Sequence, residues 1–178
     1  MALPDSINVT QGTAVVWGED GGTSPAVGYT LLFNGLANGS GTMGDVVDLG
    51  ANFQEYYAVY LRIETGTAPT AGNTAEAYLV TSHDNSFWAG EVTGTAAGYP
   101  VGTSEINLRR LGAPVCSLSS PATGNTTFTA APVIWRSKGR YVVPVIFNRL
   151  GQALRSQGTP ANNTARLVLV PLQGIISE

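Results

Sequence analysis

Residues 54–90, QEYYAVYLRIETGTAPTAGNTAEAYLVTSHDNSFWAG, set two alternating segments around a turn-rich loop. Tyr57, Val59, Leu61 and Ile63 fall on one side of the first segment. Tyr56, Ala58, Tyr60, Arg62 and Glu64 fall on the other, the period of two that a half-buried strand imposes. Residues 66–73 (GTAPTAGN) then supply glycine, proline and asparagine, which provide a positive or fixed φ where a chain reverses. The second segment, 74–82, leads through Asp84, Asn85 and Ser86 to Phe87 and Trp88. The whole reads as a long hairpin with an aromatic tip.

Outward from this stretch the composition favours β structure. The 178 residues include 22 glycines and 10 prolines, abundant Thr, Ser and Asn, and one lysine, Lys138. Thr and Gly are poor helix formers, whereas Lys, Glu and Gln are good ones. The length suits one domain able to bury about 70% of its unfolded surface without disulfides or metals. With one cysteine there is no internal disulfide framework, and Cys116 is expected in the core or at an interface. MALPDSINVT has no basic stretch leading into an apolar run, so a secretory signal is not expected. The longest uncharged stretch, 111–135, is too rich in Ser, Thr, Asn and Pro to span a bilayer. The glycosylation-like triplets at Asn8, Asn38, Asn125 and Asn162 are read as products of an Asn/Thr-rich composition.

Strands are expected at 7–10, 13–17, 27–33, 45–49, 56–64, 74–81, 105–111, 115–118, 126–129, 133–136, 140–147 and 165–172. That spacing is the pattern of an all-β sandwich or barrel. We expect a single antiparallel β-sandwich domain over 1–178, with an extended N-terminal arm of about the first dozen residues. Residues 141–147 (YVVPVIF) are apolar on both faces, as in a central strand, yet Pro144 cannot donate to a ladder. An edge or a bulge, covered by another subunit, resolves the conflict; Pro171 poses the same problem.

Motifs for chemistry are weak. Residues 39–44 (GSGTMG) fit a dinucleotide fingerprint with Glu64 at the acidic position, but the fingerprint must open a helix, and 45–50 (DVVDLG) reads as strand and turn. Ser82, His83 and Asp84 are neighbours in one turn, which rarely holds a base between nucleophile and carboxylate. One His and one Cys leave no His/Cys zinc site. Glu19 and Asp20 fall short of the six to eight oxygens calcium takes. No pair of carboxylates is singled out for glycoside hydrolysis. No catalytic residue, cofactor or metal is expected, and the chain is not read as an enzyme.

Only 12% of residues are charged, half of the ~25% typical of soluble domains. Either neighbouring subunits cover neutral surface, or neutral polar residues provide solubility. Residues 1–105 hold eleven acids and one base, and residues 106–178 eight bases and one acid. Such segregation permits attraction between copies or to a partner, or neutralisation within one sandwich. Scattered bases and a net charge of −3 argue against direct nucleic-acid binding. Arg136, Lys138 and Arg140 crowd three bases into five residues, and are expected either to meet acids on a neighbour or to form a solvated turn. With Tyr141, Pro144, Phe87 and Trp88 they make up the candidate interface.

Residues 57–72 (YAVYLRIETGTAPTAG), 75–80 (AEAYLV), the Asp84–Asn85 turn before an aromatic, 141–154 (YVVPVIFNRLGQAL) and 165–171 (ARLVLVP) resemble a family of tailed-bacteriophage capsid decoration, or cement, proteins. The resemblance covers about half of the chain and leaves 92–129 unmatched. It implies a jelly-roll-like sandwich that oligomerises, often as a trimer, on the outer capsid surface. The implied partners are the major capsid protein and other copies of this chain. A carbohydrate-binding virion, tail or fibre module, stacking sugars on Tyr56, Tyr60, Tyr78, Phe87 and Trp88, is the alternative.

Overall fold

A computed structural model describes residues 6–19, 27–51, 53–119, 127–159 and 164–177, with backbone alone for 6–11 and 174–177. Two sheets face each other. Sheet one contains β1 (Ser6–Gln11), β2 (Val15–Gly18), β3 (Tyr29–Thr30), β6 (Tyr56–Glu64), β10 (Thr127–Thr129), β11 (Val133–Arg136) and β13 (Arg166–Ser177). Sheet two contains β4 (Gly41–Met43), β5 (Val47–Asp48), β7 (Thr74–Ser82), β8 (Ala97–Tyr99), β9 (Cys116–Ser119) and β12 (Tyr141–Arg149). β1 and β2 follow one another along β13, β10 and β11 along β6, and β4 and β5 along β12. Counting each such pair as one interrupted strand leaves two four-stranded antiparallel sheets. Their strands are ordered β1/β2–β13–β6–β10/β11 and β4/β5–β12–β7–β9, the connectivity of a jelly roll. The short β3 and β8 extend the edges.

The alternation in β6 places Tyr57, Val59, Leu61 and Ile63 in the core as expected. The hairpin, however, does not form. β6 pairs with β13, β10 and β11, and β7 with β12 and β9, so the two segments lie in opposite sheets. A two- to five-residue loop would have kept them side by side. The connection through residues 65–73 is longer and bridges the ~10 Å between packed layers, with Thr65 pairing to Leu154 at its start. Trp17, Leu31, Phe33, Val142, Ile146, Leu167 and Leu169 complete the core between the sheets.

The 105–111 segment, expected as a strand, belongs instead to helix α1 (Thr103–Leu111). Its buried residues, Ser104, Glu105 and Leu108, follow helical spacing. Glu105 in the first turn and Arg109 and Arg110 in the last suit the helix dipole. The helix belongs to an excursion between β7 and β9 that crosses the outer face of sheet two, adds β8 to β4 and returns. Beneath it lies a second apolar cluster containing Met43, Tyr78, Val80, Val92, Tyr99, Leu108, Val143, Val145 and Phe147. The two-faced apolar character of β12 is thereby explained within one chain. Val142 and Ile146 face the inner core, and Val143, Val145 and Phe147 the second cluster. That strand is therefore no sign of a subunit contact.

Of the edge and the bulge expected at Pro144, the structure has the bulge, within a buried central strand. Pairing of β12 shifts by one residue between β4 and β5, from Met43 opposite Val145 to Val47 opposite Val142, so the missing donor faces a bulge. Gly44 N–H still reaches the Pro144 carbonyl at 3.0 Å. Pro171 sits likewise opposite the break between β1 and β2, where Gly12 N–H donates to its carbonyl at 3.0 Å. The Gly39–Gly44 motif is a packing feature. A Cβ on Gly41 would lie 2.8 Å from the Phe147 ring, and one on Gly44 2.8 Å from Pro144 and 3.0 Å from the Thr30 carbonyl. Gly44→Ala is expected to cost about 1–3 kcal/mol through overpacking, read as a lowered urea midpoint.

Candidate interaction cleft

Two strand edges open onto one groove of about 470 Å³. One edge is β7. β9 covers only Thr74–Ala77, and the last bond on that side runs from Val115 N–H to the Ala77 carbonyl at 2.8 Å. Main-chain groups of an antiparallel strand alternate sides, so those of Leu79 and Thr81 point the same way as Ala77. Among the described residues they have no main-chain partner on that side. The other edge is β11. Its bonds to β6 are fixed by Ser137 N–H donating to the Glu55 carbonyl at 2.9 Å, which turns the main-chain groups of Ile134 and Arg136 outward.

The lining is apolar at the centre and cationic at one end. Leu108 and Leu111 from α1, Ala113, Val115, Ile134 and Trp135 meet the Tyr78–Thr81 segment, with Arg136 and Lys138 beside them. Ile134 is 60% exposed and Leu111 55%, high values for such side chains beside a groove. The Tyr78 hydroxyl has its pKa pushed up to about 12, by burial first and by neighbouring Glu76 second.

Of the candidate interface residues, Arg136 and Lys138 line this cleft and Phe87 adjoins it, whereas Arg140, Tyr141, Pro144 and Trp88 are not in its lining, and the basic cluster does not behave as expected. Arg136 pairs with Glu55 at 2.5 Å, and Arg140 binds both oxygens of Asp48 at 2.6 Å while lying 5.1 Å from the Tyr141 ring. Two of the three bases are thus compensated inside the chain rather than by a neighbour. Lys138 is exposed and has no ion-pair partner among the described residues. Because Arg136–Glu55 is an exposed pair, breaking it is expected to change stability by at most about 1 kcal/mol.

Phe87 is 80% exposed on a loop adjoining the cleft. The loop is held by Asp84, which accepts from the Ser86 and Phe87 N–H groups at 3.0 and 3.1 Å and from the Ser82 hydroxyl at 3.1 Å. These bonds, the Ser86 backbone first, hold its carboxyl well below the usual range. Ser82 and Asp84 therefore bond to each other directly and not through His83. Trp88 packs on the second cluster. Cys116 is buried, with burial pushing its thiol pKa up. Glu19 is buried and accepts from the Phe33 and Asn34 N–H groups, a capping role rather than a calcium one. Asp20 to Gly22, Asn125, Asn162 and the first five residues of the expected arm lie outside the described residues.

The sequence reading missed Ile134, Leu111 and the β7 edge. A signal existed for the first: Val133, Ile134 and Trp135 are three consecutive apolar residues after Pro132, more than one face of an edge strand can bury. Comparison with protein-family models, curated proteins and solved structures finds no match for this chain.

Proposed function

We propose that this chain is a binding protein of the virion: a jelly-roll module that decorates the outside of a bacteriophage capsid and clamps neighbouring capsid subunits. The observation that carries the reading is the cleft itself, an apolar groove flanked by two open strand edges, which suits a protein segment. The sequence resemblance and the jelly-roll connectivity, an architecture common in viral capsids and lectins, support the same conclusion. Low charge supports assembly, most simply as a trimer, with contacts of well over ~1,000 Å².

A clamp that binds the assembled lattice and not its separated subunits stabilises the lattice by linkage, by about 2.7 kcal/mol per site at a hundredfold excess over Kd. Added to shells that lack it, the protein is expected to raise their resistance to heat, while isolated capsid subunits gain little. Light scattering on the purified chain should report an oligomer. The exposed Phe87 favours the second reading, a sugar-binding module. Saturable glycan binding with no shift in shell melting would replace the first reading by the second.

A further inference from the structure

We propose that the cleft receives an extended segment of another protein, which adds as a strand to the Leu79–Thr81 edge of β7 and presents a carboxylate to Lys138. The inference rests on the reading of this chain as a binding protein, but not on the identity of the particle it binds.

Three observations converge on it. The outward N–H and C=O groups of Leu79 and Thr81 lack main-chain partners along a strand that is otherwise paired on both sides. Strand addition satisfies such an edge with main-chain bonds and takes specificity from pockets for alternate side chains. A strand laid there continues the line that β9 leaves at Val115; its side chains alternate between a face towards Leu108 and Leu111 and a face towards Ile134 and Trp135.

Charge then selects the partner. Lys138 stands at the cleft with no ion-pair partner among the described residues, while Arg136 and Arg140 on either side of it are paired. Every carboxylate among the described residues is engaged within the chain. Glu55, Glu64, Glu76 and Glu105 pair with arginines, as does Asp48. Glu19, Asp45, Asp84 and Glu91 accept from main-chain or hydroxyl groups. On its described surface a second copy therefore has no spare acid to give Lys138, and we assign the complementary charge to a different protein.

The test uses the full-length chain and two blocked synthetic peptides, acetyl-Thr-Val-Thr-Val-Asp-amide and its lysine twin. Amide hydrogen exchange is followed at single residues. The aspartyl peptide is expected to slow the Leu79 and Thr81 amides saturably, leaving Tyr78 and Val80, already bonded to β12, unchanged. It should bind more tightly than the lysyl peptide by about tenfold, the exchange of one attraction for one repulsion. Lys138→Glu, an exposed substitution, should invert that preference, and Ile134→Asp should weaken both peptides.

No saturable slowing at these amides up to the solubility limit would overturn the proposal. So would equal binding of the two peptides. Slowing of the same amides by raised protein concentration alone would give the cleft to a second copy and also overturn it. A chain that ignores capsid shells yet passes the peptide test keeps this assignment and discards the particle reading.

Discussion

Phe147→Ala is expected to destabilise the fold by about 3–5 kcal/mol, as for other fully buried aromatic truncations. Its ring is fully buried and meets Tyr78 and Tyr99 edge-on, with centroids 5.8 and 5.7 Å away. The Tyr99 hydroxyl in turn donates to the carbonyls of Gly90 and Ser104, so one ring supports both the loop before β8 and the start of α1. The loss should fall unevenly. Hydrogen exchange in the variant should show the excursion opening at lower free energy than β12 and β13, a local unfolding unit made separable. Uniform loss of protection across both sheets would contradict this division.

Acid should unfold the protein in part through two buried carboxylates, beside the exposed Asp48 and Asp84, whose carboxyls are also held low. Burial alone raises the pKa of Glu64, but bonds from the Thr164 backbone, Arg155 and the Thr164 hydroxyl outweigh it, and the net shift is downward. Glu105 behaves alike, with burial overcome by Arg109 and Arg149. A carboxyl whose folded pKa lies below its unfolded value contributes stability that is complete above the unfolded value. That contribution is lost as pH falls towards the folded value. Stability is therefore expected to be flat above about pH 5 and to decline below it, each buried carboxylate adding up to about 1.4 kcal/mol per pH unit. Urea midpoints measured against pH check this, and the Glu64→Gln, Glu105→Gln pair should flatten the decline. An unchanged slope in that double variant would assign the acid sensitivity elsewhere.

The alternating pattern of β6 and the all-β class were legible in the sequence because periodicity reports which face a residue presents. Periodicity does not report which strand lies alongside, and so β6 and β7, adjacent in sequence, were joined in a hairpin that the fold lacks. Helix α1 was hidden for a related reason. It buries three residues on an existing sheet, and that packing, rather than the propensity of a nine-residue segment, makes it a helix. The prolines announced a conflict without its resolution, since the bulges opposite Pro144 and Pro171 belong to neighbouring strands.

At the cleft, Lys138 was visible as a crowded charge and Phe87 as a loop aromatic. The engagement of Arg136 by Glu55 and of Arg140 by Asp48 was not, because those partners are about 80 to 90 residues away in the chain. The free groups of Leu79 and Thr81 left no trace at all. An unpaired main-chain edge is a property of topology and has no side chain to mark it.

The position of β13 governs when the fold can exist. It lies between β6 and the β1/β2 line, and pairs with both, yet it is the last of the strands in chain order. A growing chain that has already made β2 and β6 has nothing to put between them until residues 166–177 emerge. Sheet one therefore closes after translation of β13, not progressively, and β2 and β6 each offer a strand edge during that wait.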